Sequence, residues 1–133
     1  MRKCLVSLLV LICTVLLSAP VLGQQERFVL PSGCTEQDFV PKTLIYKLSA
    51  ASMQGRQPSA WAANRLNRLF STLQAAPSRR LFPQHEPPRV TTDAQGHSLT
   101  DLSRIYECTY TANLSITDAV NLLLASGLVD YAQ

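Results

Sequence analysis

Apolar positions along this chain switch between a period of two and a helical period of three to four, and the switches mark its elements. Residues 42–50 (KTLIYKLSA) alternate, with Leu44, Tyr46 and Leu48 on one side and Ile45 and Lys47 on the other. That pattern predicts a strand with one apolar face. Residues 51–58 hold Gly55 and Pro58 and read as a loop. Ser59 suits the N-cap of the next segment, in which Ala62, Leu66, Leu69, Phe70 and Leu73 form one stripe. Asn64, Arg65, Asn67, Arg68 and Ser71 would face water, and Pro77 closes the helix. Arg79 to Phe82, cut off by Pro83, is a short extended piece. Residues 83–100 hold Pro83, Pro87, Pro88, Asp93, Gly96 and Ser98, which predicts a long exposed loop.

The second half is the more regular. From Leu102 to Ala112, Tyr106, Cys108 and Tyr110 share one face and Ile105, Glu107 and Thr109 the other. Ser115 with Asp118 fits a capping-box variant. Asn113-Leu114-Ser115 is formally a glycosylation sequon, but the cap accounts better for its serine. Ile116, Ala119, Val120, Leu123 and Leu124 make an apolar helical stripe, and Gly127 supplies a left-handed stop. Leu128 to Ala132 gives a last strand. The order β-α-β-β-α-β predicts an α+β fold of ferredoxin-like type: a four-stranded antiparallel sheet with two helices on one face. Leu66, Phe70, Val120 and Leu123 are expected between helices and sheet. The other face would carry Ile45, Ile105 and either Val129 or Tyr131; alternation fixes that two faces exist but not which one is inside, and since both carry apolar groups, an uncovered face points to a protein partner.

The N-terminus changes the setting of this domain. Arg2 and Lys3 precede the apolar run CLVSLLVLICTVLL, and small residues follow up to Gly23. Residues 1–23 read as a secretory signal peptide cleaved after Gly23, the run being short for a membrane span. Of 133 residues, 110 then remain, one small domain. Residues 24–41, broken by Pro31, Gly33 and Pro41, read as a flexible leader to the domain at 42–133. Removing Arg2 and Lys3 leaves 10 of the 12 Lys and Arg against 9 Asp and Glu. A mature charge near +1 argues against nucleic acid or a membrane surface as partner. Cys34 and Cys108 remain for an oxidising compartment, so a disulfide or two free thiols are both open.

No catalytic set is visible. His85 and His97 both lie in the long loop, without a rigid element to orient them beside a nucleophile. Two histidines twelve apart and two distant cysteines do not make a zinc site, and no cofactor is implied. An acylphosphatase-type site on this fold would need an anion-cradling loop after the first strand, where Gly55 stands alone beside Arg56.

Val40 to Leu48 (VPKTLIYKL), Asp101 to Glu107 (DLSRIYE), Ala119 to Leu123 (AVNLL) and Val129 to Gln133 (VDYAQ), in this order and spacing behind a signal peptide, resemble the N-terminal propeptide of secreted subtilisin-like serine peptidases. The likeness covers residues 38–133 and rests on core-pattern residues. It implies an intramolecular chaperone and temporary inhibitor, with a subtilisin-like catalytic domain as partner. It also implies that the helix-free sheet face docks on that domain and that Val129, Asp130, Tyr131, Ala132 and Gln133 lead toward the substrate cleft. The chain stops at Gln133, where family members continue through a linker, and the peptidase's Asp, His and Ser motifs are absent. The expectation is the N-terminal part of a precursor, secreted, without enzymatic activity of its own and with an incomplete inhibitory tail. The alternative is a free-standing secreted interaction module of the same fold.

Overall fold

The computed structural model describes residues 27–133, so the signal-peptide reading of residues 1–23 lies outside the described residues. Strand β1 spans Thr43–Leu48. A two-residue ribbon follows, β2 at Met53–Gln54 and β3 at Gln57–Pro58. Helix α1 is Ala60–Leu73, β4 is Arg79–Arg80 and β5 is Ile105–Thr109. Helix α2 is Ile116–Ala125 and β6 is Val129–Ala132. The main sheet is four-stranded in the order β4-β5-β1-β6 with every pairing antiparallel. The fold is therefore the expected α+β arrangement, with β1 central and β6 at an edge. The ribbon at Met53–Pro58, turned at Gly55 with φ +61°, adds structure where the sequence reads as loop.

Alternation decides the layers. Leu44, Tyr46 and Leu48 of β1 share the core with Tyr106, Cys108 and Tyr110, and with Ala62, Leu66 and Leu73 of α1 and Ala119, Val120 and Leu123 of α2. Leu69 and Phe70 are only half-buried against that core, so Phe70 falls short of the burial expected of it. It lies at the margin of the helix stripe, its ring tilted against Tyr46 at a centroid distance of 6.1 Å. Tyr46 also stacks on Tyr106 at 5.7 Å.

The helix ends follow local chemistry in part. Ser115 caps α2 as expected, its Oγ accepting the Asp118 N–H at 3.0 Å. Its hydroxyl donates to Asp118 Oδ2 at 2.8 Å. Ser59 sits at the N-cap of α1, but its hydroxyl donates to the Ser52 carbonyl at 3.2 Å instead. Ser52 is itself buried and donates to the Leu128 carbonyl at 2.9 Å, joining the turn after β1 to the start of β6. Gly127 takes φ +68° and stops α2, a conformation that costs glycine little.

Three features depart from the sequence reading. Lys42 was expected to open the first strand, yet it adopts φ +56° and β1 begins one residue later. Its Nζ donates to the carbonyls of Ala112 and Leu114 and lies 4.9 Å from the Tyr110 ring centroid, which holds the left-handed backbone. The segment read as a flexible leader makes specific contacts from Phe28 onward, with Phe28, Leu30 and Phe39 packed on the core. The long loop contains an organised turn: Asp93 accepts the amides of Gln95 and His97, and Thr92 bridges to Ser98.

Cys34 and Cys108 are both free thiols, which corrects the allowance for a disulfide. Cys108 points into the sheet–helix core at 3% exposure, whereas Cys34 stands exposed in a turn. Burial pushes the Cys108 thiol up to about 11, with a smaller opposing effect from the Ser78 hydroxyl. Since the thiolate is the reactive form, Cys34 should react with a maleimide in the folded protein while Cys108 reacts only with denaturant present. Mass spectrometry counting two additions before unfolding would contradict this packing.

Candidate interaction surface

The helix-free face of the sheet is built from the residues that alternate with the core. Ile45 and Lys47 of β1 lie opposite Glu107 and Ile105 of β5. On the other side Lys47 lies opposite Tyr131 of β6. Tyr131 is 37% exposed and supplies the largest ring on this face. Val129, the alternative for that position, turns inward and belongs to the core. Arg79 on β4 reaches across to Glu107, with Nη2 3.1 Å from both carboxylate oxygens. The face is thus a mixture: partly exposed apolar groups at Ile45 and Tyr131 among Lys47, Glu107 and Arg79, while Ile105, expected on the open face, is buried at 5% exposure and adds little open surface.

Val129 to Gln133 divide into distinct roles. Val129 and Ala132 are buried and offer the surface only backbone. Gln133 exchanges both backbone hydrogen bonds with Ile45, each at 2.8 Å. In an antiparallel ladder the next residue is a non-bonded pair, so Ala132, opposite Tyr46, turns its N–H and C=O to the open edge. The register shifts between Lys47 and Leu48, which leaves Asp130 as the extra residue of a bulge. A charged bulge blunts an edge against unspecific pairing.

Asp130 is further tied down. Arg104 Nη1 lies 3.0 Å from Asp130 Oδ2 and donates to the Leu48 carbonyl at 2.5 Å, while its Nε meets Asp101 Oδ2 at 3.1 Å. One guanidinium therefore joins the ends of β1 and β6 to the turn that opens β5. Burial opposes ionisation of Asp101, but the Ser103 hydroxyl and amide and the Arg104 guanidinium outweigh it and hold the carboxyl below its ordinary range. The sequence pattern does not mark Arg104 as the partner of Asp130. The 26 residues that separate Arg104 from Asp130 carry no periodic signal.

Beside the open edge lies an apolar cleft of about 280 Å³ lined by Phe39, Val40, Thr43, Ile45, Ile116 and Gln133. It adjoins the helix-free face through Ile45 and Gln133. The two histidines lie elsewhere: His97 meets Asp93 at 3.0 Å within the exposed turn of the long loop. Asp93 there accepts the His97 amide first of all, which lowers its carboxyl below the usual range. Among the described residues no cluster of three or more His, Cys, Asp or Glu is placed to hold a metal ion. Among them, too, no helix is long and apolar enough to cross a membrane.

These features define a class, a ferredoxin-like α+β domain with one helix-covered and one open sheet face. Within that class the chain matches no protein-family model, no curated protein and no solved structure.

Proposed function

We propose that this chain is the propeptide of a secreted subtilisin-like serine peptidase, acting as a folding chaperone and temporary inhibitor of that catalytic domain. The observation that carries the reading is the open sheet face, where Ile45 and Tyr131 stand among Lys47 and Glu107 beside the free edge at Ala132. A face of this composition is suited to cover apolar surface on a partner while its rim of charges sets the register. The free N–H and C=O of Ala132 can pair with an extended strand of the partner and guide the following residues along it. A mature charge near +1 contributes little long-range steering, so apolar area and backbone pairing would supply most of the affinity.

The test is refolding in trans. A denatured subtilisin-like catalytic domain encoded beside this chain is diluted into buffer with and without residues 24–133, and peptide hydrolysis is followed. Added chain should raise the yield of active enzyme and, in excess, inhibit it. Equal recovery with no inhibition at any concentration would remove the chaperone and inhibitor roles together.

A further inference from the structure

Helix α2 is apolar beyond the stripe that faces the core. Ile116, Ala119, Val120 and Leu123 are buried in the core, while Leu122 and Leu124 pack only partly against it. Asn121 lines the same cleft as both. Asn is a poor residue for a helix interior, because its amide competes for backbone hydrogen bonds. Here that amide has another employment. Its Oδ1 accepts the Phe28 N–H at 2.8 Å and its Nδ2 donates to the Phe28 carbonyl at 3.0 Å. The side chain thus reads one residue of an extended backbone as a neighbouring strand would, satisfying both its donor and its acceptor.

The surroundings extend this contact. Phe28 and Leu30, two apart and so on one side of an extended segment, pack against the core, while Val29 between them is exposed. An open cleft of about 650 Å³ continues along the same flank, lined by Arg27, Leu114, Asp118, Asn121, Leu122 and Leu124. The segment returns to β1 through a turn in which the Cys34 amide bonds the Pro31 carbonyl, followed by a short helical turn at Glu36–Asp38. There Asp38 accepts the Thr35 amide at 2.7 Å.

We propose that the flank of α2 around Asn121 is a peptide-binding site for an extended segment of the form aromatic-x-aliphatic, held closed in the native chain by its own Phe28-Val29-Leu30. The site is distinct from the open sheet face and does not depend on the peptidase reading. The ligand class follows from the geometry: one backbone N–H and C=O for Asn121, with apolar side chains two residues apart to cover the helix. Segments of the same chemistry compete for it when the strap is released.

The experiment uses the chain from Gln24 onward and a fluorescently labelled peptide of residues 24–33. Phe28→Pro removes both the amide donor and the ring from the strap while leaving α2 unaltered. The peptide should bind the Phe28→Pro chain, and should bind neither the unaltered chain, whose site is filled, nor the Phe28→Pro/Asn121→Ala chain. In the unaltered chain the Phe28 amide should be protected from hydrogen exchange, and Asn121→Ala should return it to the rate of a free peptide. Failure of the peptide to bind the Phe28→Pro chain, or equal binding to all three, would overturn the proposal. Should Phe28→Pro not fold, an unprotected Phe28 amide in the unaltered chain overturns it by itself.

Discussion

Tyr46→Ala should destabilise the domain by about 3–5 kcal/mol, the range for removing a large buried aromatic ring. Tyr46 is 1% exposed at the centre of β1, stacked on Tyr106 and tilted against Phe70, so truncation removes contacts with sheet and helix together. Its hydroxyl donates to Ser78 at 2.7 Å, and burial raises the phenol well above its ordinary range. Tyr46→Phe keeps the ring and deletes that bond, and should cost about 1 kcal/mol. Urea unfolding of both variants separates the two contributions. If Tyr46→Ala changed stability by no more than about 0.5 kcal/mol, as surface substitutions do, the side of β1 assigned to the core would be the wrong one.

The second large effect is expected at Leu123→Ala, about 2–5 kcal/mol. Leu123 is 0% exposed on the core stripe of α2, with the buried Ala119 and Val120, so truncation leaves a cavity inside the core. Domains of this size are stable by only about 5–15 kcal/mol, so this one substitution removes a large part of the margin. Leu124→Ala, one position round the helix and only partly buried, is the control and should cost less. A smaller loss at Leu123 than at Leu124 in the same denaturant titration would mean that α2 is rotated relative to the sheet. The comparison also bears on the leader strap, because Leu124 lines the flank that Asn121 serves.

Much of the architecture was legible because it is written in short-range periodicity. Leu44, Tyr46 and Leu48 alternate, the α1 and α2 stripes recur at helical spacing, and Ser115 and Gly127 punctuate α2 with side-chain and backbone chemistry that acts within a few residues. The same local rules account for the order of elements and, through chain length and handed connection, for the sheet they form. Residues 83–100 carried turn-formers but no period, so the Asp93 turn was invisible beyond being a loop.

What the sequence by itself determined, then, is the two helices and the strands of the main sheet and the two-sidedness of each, since these depend on neighbours at fixed short spacing. Tertiary structure decided whatever depends on partners far apart in the chain. It chose the β1 face that became the core, and the bulge at Asp130 that sends Val129 inward and Tyr131 outward. It also set the left-handed Lys42 with its two carbonyl partners, 70 and 72 residues away. The docking of Phe28 on Asn121, across 93 residues, and the separation of Cys34 from Cys108 belong to the same group. Such pairings leave no periodic trace, because the chain between them can be of any length that closes the loop, at an entropic cost that grows only slowly with its length.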